Sequence, residues 1–109
     1  MSNKYDAIMD ENLTDVELAD LADFFKVFGD ATRLRLLAFL LDKGEAGVNQ
    51  IADALDMSQS AISQQLKVLR QSRLVRWRKD GRNVIYRLSD DHISKILQLG
   101  IEHYEELYL

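Results

Sequence analysis

The chain has 109 residues, 47% of them hydrophobic, with a formal net charge of −4. That length holds one core but not two, and the composition is that of a folded chain. Cysteine is absent, which excludes disulfides, thiolate metal ligands and thiol nucleophiles; no secretory signal or membrane-length apolar run is present, so a cytoplasmic location is expected.

Residues 1–12 read as a frayed polar lead-in. From Asp15 to Phe28 apolar residues recur at Val16, Leu18, Leu21, Ala22, Phe24, Phe25 and Phe28, a helical period with Thr14 as its cap. Residues 1–30 carry eight acids against Lys4 and Lys26. Gly29 breaks the pattern and Asp30 can cap a second helix, Ala31 to Leu41, with Leu34, Leu37, Ala38 and Leu41 as its expected buried stripe. Lys43-Gly44 ends that helix, the glycine suited to a left-handed C-cap.

A short helix from about Asn49 to Leu55 offers Ile51, Ala52 and Leu55 to the core. Asp56-Met57 makes a tight turn. Ser58 then caps a longer helix running to about Arg73, with Ile62, Leu66 and Leu69 inward. Two helices joined by so short a turn form a helix-turn-helix, and the second is the candidate recognition helix. Ser58, Gln59, Ser60, Ser63, Gln64 and Lys67 lie on its first turns, and these side chains can hydrogen-bond base edges and phosphates.

After Leu74 the period changes to two. Residues 75–78 and 83–87 flank Lys79-Asp80-Gly81-Arg82, and Asp-Gly between alternating runs signals a hairpin. With Asp80 and Gly81 as the central turn residues, Trp77 pairs with Val84 and Val75 with Tyr86, while Arg78 and Asn83 share the other face. Lys79 and Arg82 stand at the tip, within reach of backbone phosphates, and Trp77 reads as a core aromatic. Eight of the 14 basic residues fall between Lys67 and Arg87, opposed only by Asp80. Local charge, rather than the net total, decides where a polyanion docks. A charge run alone is more often a solvated face; on a helix-turn-helix followed by a hairpin it points to duplex DNA. The expected fold is therefore mostly α with a small β-hairpin, a winged helix-turn-helix in the order α-α-α-α-β-β-α, over one domain spanning 1–109.

The last helix, about Asp90 to Tyr108, carries Ile93, Ile96, Leu97, Leu99, Gly100 and Ile101, more apolar surface than a single exposed helix needs, which points to a partner. It also holds both histidines, in Asp90-x-His92 at its start and His103-x-x-Glu106 near its end. His103 and Glu106 lie one turn apart on one face. His92 and His103 are eleven positions apart, roughly 16 Å at about 1.5 Å per residue, too far to share an ion. Two such helices packed antiparallel across a twofold axis bring Asp90 and His92 of one beside His103 and Glu106 of the other. Two nitrogens and two oxygens suit tetrahedral zinc. The plain alternative is a solvated helix face, with Asp90 acting as a cap at the positive end of the helix dipole.

These segments resemble the ArsR/SmtB family of bacterial metal-sensing repressors. The resemblance runs through Phe28-Gly29-Asp30-Ala31-Thr32-Arg33-Leu34-Arg35-Leu36-Leu37, Ile51-Ala52-Asp53-Ala54-Leu55 and residues 58–69, then the Gly81-Arg82 wing and the closing Asp90-x-His92…His103-x-x-Glu106. It covers roughly residues 15–107. It implies a homodimer formed by the first and last helices that binds an inverted-repeat operator and is released by metal. It also implies that Asp90, His92, His103 and Glu106 form the last-helix zinc site of the SmtB-like branch, and that His103 donates to a backbone carbonyl around Gln64. Val48-Asn49-Gln50-Ile51-Ala52 has no cysteine where thiolate-sensing branches have one. The absence of a third histidine favours four-coordinate zinc, with cobalt as a substitute. DNA contacts are expected from Ser58, Gln59, Ser60, Ser63, Gln64, Lys67, Arg78, Lys79 and Arg82. Competing readings are a winged-helix regulator responding to a non-metal signal and a protein-binding winged-helix adaptor using the acidic first helix. An enzyme is disfavoured, because four protein ligands would leave no open position for hydrolysis.

Overall fold

The computed structural model describes residues 13–109, so the lead-in expected at 1–12 lies outside the described residues. Eight elements follow one another: α1 (Asp15–Phe28), α2 (Ala31–Lys43), β1 (Glu45–Gly47), α3 (Val48–Leu55), α4 (Gln59–Gln71), β2 (Val75–Asp80), β3 (Asn83–Leu88) and α5 (Asp91–Tyr108). The expected helices and hairpin are all present. The expected order lacked β1, which joins the hairpin as a third antiparallel strand in the order β1-β3-β2.

Local chemistry sets the helix ends. The Thr14 hydroxyl accepts from the Glu17 N–H at 3.1 Å, while the Glu17 carboxylate accepts from the Thr14 N–H at 3.0 Å. This reciprocal capping box satisfies two backbone donors that the helix leaves open. Asp30 does the same for α2 by accepting from the Arg33 N–H at 3.0 Å. Gly44 ends α2 with φ +85 and ψ −54, a positive φ but not the left-handed helical conformation expected of it.

The helix-turn-helix turn is a Schellman closure: the Met57 N–H donates to the Ala52 carbonyl at 3.0 Å and the Asp56 N–H to the Asp53 carbonyl at 3.4 Å. Asp56 takes φ 54 and ψ 51, the left-handed position that glycine usually fills and that aspartate tolerates. From α2, Arg35 donates to the Leu55 carbonyl at 3.0 Å, and the Arg33 Nε donates to the Gln65 side chain at 3.1 Å. Two arginines of α2 thus brace the two helices of the turn.

The core collects Leu36, Leu37 and Leu40 of α2, Ile51, Ala52 and Leu55 of α3, Ile62, Leu66 and Leu69 of α4, and Ile93 and Leu97 of α5. Ala46, Leu74 and Val75 close it from the sheet side. The stripe expected for α2 is corrected. Leu34 is 41% exposed, Ala38 is exposed and Leu41 is half-buried. The helix has rotated so that Leu36, Leu37 and Leu40 face inward.

The hairpin register is also corrected. Asp80 pairs with Asn83, Lys79 with Val84, Arg78 with Ile85, Trp77 with Tyr86 and Val75 with Leu88. Gly81 and Arg82 are therefore the central residues. Gly81 has φ +65, and Arg82 is not among the residues of positive φ. A glycine at the first central position is the pattern of a type II′ turn rather than type I′. The shift moves each partner by two positions, so every side chain keeps its expected face. Trp77 is not a core residue: it is 42% exposed, with the Arg70 guanidinium 5.9 Å from its ring centre.

At the far end of the wing the Ser89 N–H donates to the Leu74 carbonyl at 3.0 Å, and the Leu74 N–H donates to the Leu69 carbonyl at 2.8 Å. The last wing strand is thereby tied to the end of α4 just before α5 begins. Only the first half of α5 packs on the core. Beyond Leu97 it exposes Leu99, Ile101, Tyr104, Leu107 and Tyr108, and α1 exposes Val16, Leu21 and Phe25.

Candidate nucleic-acid interface and metal centre

The buried positions of α4 fix where its polar residues lie. With Ile62, Leu66 and Leu69 inward, Ser58, Gln59, Ser60, Ser63, Gln64 and Lys67 are all exposed. The Ser58 hydroxyl accepts from the Ala61 N–H at 3.1 Å, so it caps the helix as well as standing at its exposed end. Lys79 and Arg82 are exposed at and beside the hairpin turn.

Arg78 is exposed too, but its guanidinium is engaged, lying 2.8 Å from the Glu45 carboxylate. That hydrogen bond and charge hold the Glu45 carboxyl below the usual carboxylate range, and Arg87 adds to the effect. Sequence reasoning missed Glu45 because β1 is only three residues long and its partner lies 33 positions away.

If Lys79 and Arg82 contact phosphate, Lys79→Ala and Arg82→Ala each reduce the slope of log affinity against log salt by roughly 0.9. Titrations of a labelled duplex across a salt series measure this, and an unchanged slope would place the side chain off the DNA.

The four candidate metal ligands form two separate pairs. Asp90 caps α5, its Oδ1 accepting from the Ile93 N–H at 3.2 Å, and the His92 Nδ1 lies 3.6 Å from that same oxygen. The other carboxylate oxygen remains for a ligand. His103 and Glu106 are exposed one turn apart on the second half of α5. Among the described residues no group of three or more His, Cys, Asp or Glu is gathered around one point. A single chain thus supplies two donors at each of two places, which is half of a four-coordinate set. The donor chemistry fits zinc, provided a second helix completes each set.

A helix-turn-helix with an exposed polar second helix, followed by a basic hairpin, defines a winged helix-turn-helix fold. Residues 30–76 match the description "Bacterial regulatory protein, arsR family". A transcriptional repressor SmtB homolog from a Synechocystis species is 41% identical over 86 residues, covering 79% of this chain and 64% of that protein. The chain therefore spans just under two thirds of that relative. The antimony-specific transcriptional repressor AntR superposes with a TM-score of 0.78 at 33% identity, over 98% of this chain and 97% of its own. The homodimeric winged helix-turn-helix DNA-binding domain of a Mycobacterium bovis protein gives a TM-score of 0.77 at 27% identity, covering 88% and 91%. The chain belongs to the arsR family, a family of transcriptional regulators and not of enzymes.

Proposed function

We propose that this chain is a metal-responsive transcriptional repressor with zinc as its ion, which binds an inverted-repeat operator as a homodimer and leaves it when metal occupies sites shared between two α5 helices. The carrying observation is the arrangement of α5: one nitrogen-bearing and one oxygen-bearing side chain at each end, on a helix whose outer half leaves Leu99, Ile101, Tyr104, Leu107 and Tyr108 exposed. Exposed apolar surface of this extent marks an association surface. Antiparallel pairing of two such helices would cover it and complete both donor sets in one step. In this reading the 109 residues are a single cytoplasmic domain, with α1 and α5 as the dimerisation helices.

Zinc, when bound, would accept the donors of both subunits and cross-link them, with cobalt as its laboratory substitute. Asp90 and His92 would hold one side, and His103 and Glu106 of a second copy of the chain the other. In that dimer the second ring nitrogen of His103 would donate toward the backbone around Gln64 and so couple the site to the recognition helix. Ser58, Gln59, Ser60, Ser63, Gln64 and Lys67 read the major groove, while Lys79 and Arg82, and Arg78 when it is free of Glu45, hold backbone phosphates. A dimer that spans successive major grooves needs its two recognition helices about 34 Å apart, and a subunit arrangement that misplaces them lowers affinity.

The test is the anisotropy of a labelled promoter fragment with metal-free protein at fixed salt, before and after stoichiometric zinc. An affinity loss of about tenfold, or ~1.4 kcal/mol, reversed by chelator, supports the sensor. Tight binding indifferent to zinc would retain the repressor and discard its metal. One observation favours that second reading, a regulator answering a non-metal signal: Asp90 already has a structural task as the α5 cap.

A further inference from the structure

The ion pair between Glu45 and Arg78 joins two strands that are not neighbours. The sheet order is β1-β3-β2, so all of β3 lies between them. Glu45 stands opposite Arg87, and Arg78 opposite Ile85, two positions nearer the hairpin tip. Two strand spacings alone are roughly 10 Å, so Arg78 must lie extended across β3 for its Nη2 to come within 2.8 Å of the Glu45 Oε1. The side chain points toward the base of the wing, away from the turn. The long, flat guanidinium that suits a phosphate is held by a carboxylate of the same protein.

Nothing in this pairing is locked. The two side chains are 52% and 48% exposed, and an ion pair so open to water exchanges partners readily. The same face also carries Arg76 and Arg87, with Asp80 near the tip. Glu45 is the acid set among those arginines. We propose that Glu45 limits the DNA affinity of the wing by competing with backbone phosphate for Arg78. The inference rests on the reading of the chain as a DNA-binding regulator, but it is independent of metal. Its consequence is a repressor whose grip on the sugar–phosphate backbone, and therefore on non-specific sequence, is held below what its basic residues could deliver.

The experiment compares native protein, Glu45→Gln, Arg78→Ala and the double variant on a labelled operator fragment and on a duplex of arbitrary sequence, across a salt series. Both positions are exposed, and thermal melts check that each variant is folded. Glu45→Gln is expected to tighten binding to both duplexes severalfold and to steepen the salt slope by roughly 0.9, one further phosphate neutralised. In the Arg78→Ala background the same change should do neither. An unchanged or weaker affinity in Glu45→Gln would overturn the proposal. So would an equal gain without Arg78, which would show a general charge effect. A native protein that binds no duplex at low salt would instead overturn the regulator reading on which this one rests.

Discussion

Leu66→Ala is expected to destabilise the folded chain by about 2–5 kcal/mol, the range for emptying a fully buried leucine site. Leu66 has no exposed surface and lies in the middle of α4, within the buried cluster that also holds residues of α2, α3 and α5. The loss combines hydrophobic transfer with the cavity left behind, and it compares with a total stability of about 5–15 kcal/mol for an ordinary domain. In the proposed reading DNA binding should fall with it, because α4 presents one face to the core and would offer the other to the operator. Leu34→Ala, at a position 41% exposed, should cost much less. Urea unfolding of both variants, at matched protein concentration, measures the difference. Equal losses would mean that Leu34 is covered in the native assembly and that the exposed side of α2 belongs to an interface.

The second large effect concerns metal. His103→Gln should keep the operator affinity of the metal-free protein yet lose its release by zinc, which for a coupling of 1–3 kcal/mol is about 5–150-fold. Glutamine is similar in length and still makes hydrogen bonds, but it lacks the imidazole nitrogen that zinc prefers. His103 lies on the exposed outer half of α5, away from the core residues Ile93 and Leu97, so folding should be preserved. The comparison needs only anisotropy titrations with and without zinc. Full release of this variant by zinc would remove His103 from the site and leave Asp90 and His92 as an incomplete pair.

Most of the helices were legible in the sequence because their caps and periods agree. Thr14, Asp30 and Ser58 cap where expected, and α3 and α4 bury the residues that their spacing nominates. The orientation of α2 was not legible. Leu34, Leu36, Leu37, Phe39, Leu40 and Leu41 encircle it, and a helix apolar all round has no phase to read. Strand β1 was missed because three residues between Gly44 and Val48 are too few to show alternation. The hairpin offered two glycine turns differing by one residue, Asp80-Gly81 and Gly81-Arg82, and both preserve the faces, so the hydrophobic pattern could not choose.

The exposed residues of α4 were legible because their buried neighbours fix them. The ties made by Arg33, Arg35 and Glu45 were not, since each joins residues 20 to 33 positions apart through side chains whose direction depends on the finished fold.

Only Ser89 and Asp90 separate the last wing strand from α5. The first is fixed through its N–H to the Leu74 carbonyl, and the second through its side chain to the first turn of the helix. A linker so short and so bound has little torsional slack. Mechanically it is a crank. A tilt of α5 would act as a lever on the base of β3, a six-residue strand that reaches roughly 20 Å to the wing tip.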